Sequence, residues 1–348
     1  MRALLRTARR LMAVATILYC AGLLVLALLW TIGIQGIWWL DLANVFALCL
    51  FAPLALLAPV ALMSHRRELQ SSVVIACAAC LGLFGPQMIP PAVQAHSGPR
   101  IRVATFNLHY DLAESQLAAI IAAIRAQQAD VVALQELSPG AAAGIQRQLV
   151  DNYPYQVLAP SIERAGLGLI SRYPLVEWKS QGAAMQTALL RVGGSSVTVI
   201  NVSMTAPELK RRRLPGVRWA KYIRNYRTSK RSHEIGSLLR TIERVEGPLV
   251  VAGDFNLSDR EPDYTQLAAQ LHDSYRETNW GFGNTFPGSL DLGGVPISLP
   301  FLRIDYIWSA GGAVPAATQV ACGNASDHCM VVAEMQITDD AMQPVVSR

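Results

Sequence analysis

Four carboxylates, two carboxamides and one imidazole stand at the ends of short apolar runs in this chain: Asn107, Glu136, Asp254, Asn256, Asp305, Asp327 and His328. Carboxylate and carboxamide oxygens are hard donors that suit Mg2+ or Mn2+ rather than zinc. Clustered without a cation, the carboxylates would repel one another. With one, they suit hydrolysis of a phosphate ester. The ion neutralises developing negative charge, Asp254 orients or deprotonates a water, and His328 serves as acid or base. Each position alone has a plainer reading, since Asp-x-Asn after a strand is a common turn or helix cap. Their number and placement argue for a site.

The elements that must hold these residues are buried strands. Pro248-Leu249-Val250-Val251-Ala252 is a short, continuous, β-branched run, as expected of a strand covered on both faces, and Gly253 lets the backbone turn where Asp254 and Asn256 emerge on one side. Ile101–Phe106 alternates and delivers Asn107, and Asp130–Leu134 delivers Gln135 and Glu136. Leu117, Ile120, Ile121 and Ile124 fall at helical spacing within 115–128, with a second helix near 139–150 and a third over 229–245. Further strands fall at 155–158, 167–171, 303–308 and 329–335, and 187–192 turns through Gly193-Gly194 into 196–202 as a hairpin. A two-layered sheet core with helices outside would collect the polar strand ends on one rim.

The chain has 348 residues, 52% of them hydrophobic, with a net charge of +5 and a mean hydropathy of +0.28. That is too apolar for a purely soluble protein. The excess lies in three uncharged stretches before residue 96, predicting transmembrane helices at about 11–34, 42–64 and 70–92. The third carries Gly82, Gly85 and Pro86 and is the one expected to be re-entrant if any is. Arg2, Arg6, Arg9 and Arg10 precede the first stretch, no Lys or Arg separates it from the second, and Arg66-Arg67 separates the second from the third. The positive charges put the N-terminus in the cytoplasm, and three crossings put the rest on the outer side of a multi-pass membrane protein. A linker at 96–99, a soluble domain at 100–338 and a tail at 339–348 follow. Val93-Gln94-Ala95 also has the form of a small-residue cleavage site that would release the domain.

Thr105-Phe106-Asn107, Leu134-Gln135-Glu136, Gly253-Asp254-Phe255-Asn256, Arg303-Ile304-Asp305-Tyr306 and Ser326-Asp327-His328, in this order, resemble the endonuclease/exonuclease/phosphatase superfamily. That resemblance spans essentially the whole soluble domain. It implies a four-layer α/β sandwich, two packed mixed sheets with outer helices, and metal-dependent cleavage of phosphate esters. It also implies that Asn107 and Glu136, with Asp254 and Asp327, hold the metal, and that Asp254 acts on the nucleophilic water. Asn256 would contact the phosphate, Asp305 would assist the metal or the histidine, and Asp327 would orient His328. Many members carry a catalytic histidine in an Asn-x-His pattern where this chain has Asn201-Val202-Ser203. Asn201 and Ser203 are therefore expected beside the substrate, with Ser203 lacking a cation, and His109 is the residue that could stand in for the missing imidazole.

Between Leu209 and Arg231 lies the most basic segment, with Arg211, Arg212 and Arg213 in a row and Trp219, Tyr222 and Tyr226 interleaved. Such a run is often only a solvated face. As a functional element it fits an anionic partner, either the phosphates of a nucleic acid or lipid headgroups. Cys322 and Cys329 bracket the loop carrying Asp327 and His328, and would form a disulfide in an oxidising exterior or stay thiols in a cytoplasm. The expectation is a membrane-anchored, Mg2+- or Mn2+-dependent phosphoesterase acting on lipid or lipid-linked substrates. The alternatives are a membrane-tethered nuclease and a non-catalytic module that binds anionic lipid or polymer.

Overall fold

A computed structural model describes residues 1–338 apart from 93–96, 112–113, 183, 215–216 and 292–295. The cleavage-like site at 93–95 and the tail at 339–348 lie outside the described residues, as do the side chains of 214–220. The chain divides into two compact units, Met1–Ile89 and Pro90–Arg348.

In the first unit, α1 (Arg2–Thr31) and α5 (Arg67–Phe84) are continuous, and the latter extends as a 3-10 turn through Met88. Both are long and apolar enough to cross a membrane. Between them, α2 (Trp38–Val45), α3 (Ala47–Phe51) and α4 (Leu54–Leu62) form a pair bent by 80°. This reverses the expectation about which stretch is interrupted. Phe46, with ψ of 20°, leaves the helical region, whereas Gly82 and Gly85 are tolerated inside or at the end of a helix. Pro53, which has no N–H to donate, stands between α3 and α4. The unit thus has two spans by length and composition, or three if the bent pair is one.

The second unit contains two six-stranded mixed sheets. The first has the order β15-β16-β1-β2-β4-β3, formed by Ala313–Ala321, Met330–Ile337, Arg100–Asn107, Val131–Gln135, Leu167–Ser171 and Tyr155–Ala159. The second has the order β11-β14-β10-β7-β6-β5, formed by His272–Asp273, Asp305–Ala310, Leu249–Asp254, Ser195–Ser203, Met185–Val192 and Leu175–Gln181. Two small hairpins stand apart from both sheets: β8 (Glu208–Leu214) with β9 (Val217–Arg227), and β12 (Leu290–Asp291) with β13 (Pro296–Ile297). The helices are α6 (Glu114–Gln127), α7 (Pro139–Leu149), α8 (Ser229–Ile242), α9 (Pro262–Ala268) and α10 (Ser274–Thr278).

Three cores fill the layers, and the two-residue period of the strands assigns side chains to them. Ile101 and Val103 of β1 and Val250 and Ala252 of β10 meet between the sheets. Ala104 and Phe106 face the other way, against Ile120, Ile124 and Ile145 of α6 and α7. Leu249 and Val251 pack on Ile235, Leu238 and Ile242 of α8 and on Trp308. The order helix, sheet, sheet, helix is the four-layer α/β sandwich expected from the sequence. Each fully buried Val, Leu or Ile here contributes about 1.5–3 kcal/mol, so both faces of β1 and β10 are firmly clamped. Strands clamped in this way can present polar residues at their ends without moving.

Candidate active site

β10 carries Asp254 as its last residue, with Asp305 of β14 in register on one side and Ser203 of β7 on the other. Gly253 is required here by proximity rather than by a left-handed turn: a Cβ on it would lie 2.0 Å from the Val202 carbonyl oxygen. β1 delivers Asn107 from the opposite sheet, and its Nδ2 donates to Asp254 Oδ2 at 3.0 Å. The two sheets therefore meet at this carboxylate. Asn256, two residues on, donates its backbone N–H to Asp254 Oδ1 at 2.9 Å and its Nδ2 to Oδ2 at 3.0 Å. His109, Glu136 and Asn256 all have φ near +50 to +60° (62°, 52° and 49°). Left-handed backbone in non-glycine residues costs energy and gathers at working sites.

His328 is held by Asp305. Its Nδ1 lies 3.1 and 3.0 Å from the two carboxylate oxygens, and its backbone N–H donates to Ser326 Oγ at 3.1 Å. Asp305 is in turn fixed by Thr285, whose Oγ1 donates to Oδ2 at 2.6 Å and accepts the N–H groups of Ile304 and Asp305 at 3.2 Å. The Phe286 ring covers the imidazole with centroids 4.9 Å apart. Gly288 permits that loop to lie close, because a Cβ there would be 2.7 Å from the His328 carbonyl carbon. One ligand atom from each of Asp254, Asp305 and His328 lies within 4.8 Å of the others, and all three residues are buried.

The environment raises both acid–base groups. Burial, then the neighbouring Asp305 carboxylate, push Asp254 up to about 7, against the opposing pull of His328 and the hydrogen bonds from Asn256 and Asn107. For His328 burial works against the charged form. The attraction of Asp305 and its hydrogen bond, followed by Asp254 and Asp327, outweigh it and raise the imidazole to about 10. An imidazolium therefore sits beside a carboxylate poised near neutrality.

The cluster fits a hard divalent cation on the chemistry of its donors. Glu136 is anchored through Oε2, which accepts the Tyr110 N–H at 2.9 Å, and among the described residues its Oε1 has only a distant Arg164 at 3.9 Å. Asn107 Oδ1 accepts one N–H, from His109 at 3.0 Å, and has a second lone pair. Glu136, Asn107 and Asp254 thus offer oxygen. These three donors are all oxygens, which suits Mg2+ or Mn2+ better than the nitrogen- and sulfur-rich sets that hold zinc.

Two of the expected roles need correction. Asp327 does not orient His328. It faces His109, with Oδ2 3.0 Å from Nδ1 and both side chains about one-third exposed; like Glu136, it is not among the three residues whose ligand atoms converge. The orienting carboxylate is Asp305, because β14 runs beside β10 and brings it under the imidazole. Asn201 is turned inward. It is fully buried, its Nδ2 donates to the carbonyls of Leu134 (3.0 Å) and Gly168 (2.9 Å), and its Oδ1 accepts from Gln135 Nε2 at 2.7 Å. Every polar atom of Asn201 serves to tie β7 to the other sheet. Ser203 does border Asp254, is half-buried, and has no side-chain hydrogen bond among the described residues. Arg211, Arg212 and Arg213 are exposed on β8 and do not join the cluster.

Several residues of the site went unread in the sequence. Thr285 and Phe286 lie in an irregular, glycine-rich stretch about twenty residues before Asp305, with no periodicity to mark them. Arg231, a charged residue within a helix, is 1% exposed. It binds Glu261 at 2.5 Å and the backbone oxygen of Asn256. A buried arginine can be inferred only once its partners are placed. The expected pairing of Cys322 with Cys329 is present as a disulfide.

Two packed mixed sheets with a carboxylate–imidazole cluster at their common rim define an α/β sandwich of the kind that carries phosphoester chemistry. The chain belongs to the Endonuclease/Exonuclease/phosphatase family, whose pattern matches residues 104–328, more than half of its length. Its fold is similar to that of TDP2 from D. rerio in a structure complexed with single strand DNA product, at 14% identity and TM-score 0.53, covering 68% of this chain and 99% of that one. It is similar also to the endonuclease/exonuclease/phosphatase from Bacteroides vulgatus, at 17% identity and TM-score 0.53, covering 69% and 99%. The Bacteroides thetaiotaomicron family protein gives 16% identity and TM-score 0.51, covering 70% and 100%. At such identities the likeness concerns the fold alone. No curated protein sequence matches the chain.

Proposed function

We propose that this chain is a membrane-anchored hydrolase of phosphate esters that requires Mg2+ or Mn2+ and acts on a lipid or lipid-linked phosphodiester. The observation that carries the reading is the buried Asp254–Asp305–His328 cluster, whose ligand atoms lie within 4.8 Å of one another and in which both acid–base groups are raised, Asp254 to about 7 and His328 to about 10. A carboxylate raised toward neutrality can take a proton and an imidazole held charged can give one, which divides the pair into base and acid.

Glu136, Asn107 and Asp254 are the residues that would hold the ion, which when bound supplies neutralising charge at the phosphoryl oxygens. Asp254, aimed by Asn107 and Asn256, accepts the proton of the attacking water. His328 keeps its charge through neutral pH and has Nε2 left as donor to the leaving oxygen, because Asp305 occupies Nδ1. Thr285 and Phe286 hold that pair in place. Ser203 gives one neutral hydroxyl where many family members have an imidazole, so His328 is the principal cation at the rim.

Two helices long and apolar enough to span favour lipid over nucleic acid as substrate. The Cys322–Cys329 disulfide supports an oxidising compartment, hence the outer side, and this requires the bent pair to count as the third crossing. The test is hydrolysis by the purified chain in detergent, with Mn2+ and then chelator, of a phospholipid panel, plasmid DNA and a generic phosphodiester, with Asp254→Ala as control. Lipid turnover that needs metal and Asp254 supports the proposal. Turnover of DNA alone would make the chain a tethered nuclease, and no turnover with metal bound would leave a binding module.

A further inference from the structure

The β8–β9 hairpin pairs with neither main sheet, and a two-stranded hairpin is marginal by itself. It is rooted instead by a buried ionic node. Tyr226, 6% exposed, donates to Glu261 Oε1 at 3.1 Å, and Glu261 also accepts the Ser258 N–H at 2.7 Å and binds Arg231. Arg231 reaches on to the backbone oxygen of Asn256. The root of the hairpin and the corner that aims Asp254 therefore share one set of buried hydrogen bonds.

Beyond the root, Lys210, Arg211, Arg212, Arg213, Lys221 and Arg224 are all exposed, and none has an ion pair among the described residues. Glu208 is the lone acid of the two strands. Arg213 stands directly across from Lys221, and Arg212 across from Tyr222. Like charges facing each other across a ladder destabilise it, a cost that an anionic partner removes. Tyr222 and Leu209 are 41% and 39% exposed among these cations. An amphipathic ring and an aliphatic side chain interleaved with Arg and Lys fit a bilayer interface, where apolar groups enter the headgroup layer and cations meet phosphate. The phosphate track of a nucleic acid offers nothing to the leucine. Residues 89–99 are all that separate the last membrane-length helix from β1, which keeps a bilayer within reach of the domain.

We propose that the β8–β9 hairpin is a docking arm for an anionic lipid surface, rooted at the catalytic corner so that the lipid it engages is presented to the Asp254 rim. The proposal deepens the lipid reading of the site but does not depend on turnover. Each cation near an acidic surface strengthens association by about fivefold, so losing three weakens it by about a hundredfold.

The experiment is hydrogen exchange on the full chain in nanodiscs of phosphatidylcholine, compared with discs containing phosphatidylglycerol. Peptides covering 208–227 should exchange at least about tenfold more slowly in the anionic discs, and the slowing should disappear in 0.5 M salt, because surface charges are then screened. In Arg211→Glu/Arg212→Glu/Arg213→Glu it should be absent while the rest of the domain exchanges as in wild type. Lys221→Gln/Arg224→Gln, a milder change, should lose part of it and serves if the triple variant misfolds. Equal exchange in both discs overturns the proposal. So does slowing by a single-stranded oligonucleotide in neutral discs with none from anionic lipid, which would assign the arm to nucleic acid. Because the readout is exchange, its failure is separate from a failure of catalysis.

Discussion

Replacing Asp305 with Asn tests the electrostatic core of the site. The imidazole of His328 and the Asp305 carboxylate are 7% and 1% exposed as side chains, so solvent screens them little. A rise from 6.5 to about 10, at 1.36 kcal/mol per pKa unit, corresponds to about 5 kcal/mol of preference for the charged imidazole in the folded state. The sign follows from linkage. A histidine raised on folding contributes stability that is fully present below pH 6.5 and is lost as pH rises through about 10. Without the Asp305 carboxylate its two raising influences are lost, and burial, which favours the neutral ring, is opposed only by the weaker attraction of Asp254 and Asp327. In Asp305→Asn, His328 should therefore titrate well below about 10, and the unit from Pro90 onward should lose much of its stability difference between pH 6 and 10. Asp254 should fall as well, since Asp305 is the second-largest influence raising it. The assays are carbon-detected histidine titration by NMR, assigned with His328→Gln, and denaturant unfolding across that pH range with chelator present. If the enzyme turns over, the alkaline limb of its pH profile should move from about 10 to lower pH. A wild-type His328 titrating at or below 6.5, or a variant keeping the full pH slope, refutes the reasoning.

Other outcomes follow from the same contacts. Asn201→Ala should destabilise the domain by about 3–5 kcal/mol in urea unfolding, because it leaves the Gln135 amide and two buried carbonyls unpaired; a loss under about 1 kcal/mol would contradict the structural role. Asp254→Ala and His328→Ala should each abolish hydrolysis without unfolding the domain, and in chelator Asp254→Ala should melt no lower than wild type, since it removes a buried carboxylate held unfavourably. Full turnover by both would remove the site assignment. Reducing Cys322–Cys329, which closes a loop of sequence separation 7, should cost about 2–3 kcal/mol, measured by unfolding with and without dithiothreitol. Protease added to intact cells should cleave the domain if it faces outward; protection until the cells are opened would put it inside.

Much of the sandwich was legible because strands buried on both faces leave continuous β-branched runs. β1, β2 and β10 were visible, and so was the helical spacing of α6. β5 was not, since Glu177, Trp178 and Lys179 are exposed on the outermost strand and carry no alternation. The β8–β9 hairpin was hidden for a related reason: its pattern is one of charge, and no apolar face marks either strand. Among site residues, Asp254, Asn256, Asn107 and His328 were found as strand-end polar groups. Thr285 acts from an irregular segment whose position depends on the Phe286–Leu302 bridge.

By itself the sequence determined what local chemistry and periodicity can carry: the apolar N-terminal helices, the alternation of strands and helices, and the set of residues able to bind an ion and move a proton; the four-layer sandwich was implied by the family resemblance of its ordered motifs. The tertiary structure decided which of those residues meet. It put Asp305 rather than Asp327 under His328, turned Asn201 inward as a tie between the sheets, bent the second apolar stretch at Phe46, and joined the basic hairpin to the catalytic corner through Arg231 and Glu261. These are contacts between residues 23 to 67 positions apart where hydrogen bonds are concerned, and pairing across such distances depends on strand order and register, which no local pattern encodes.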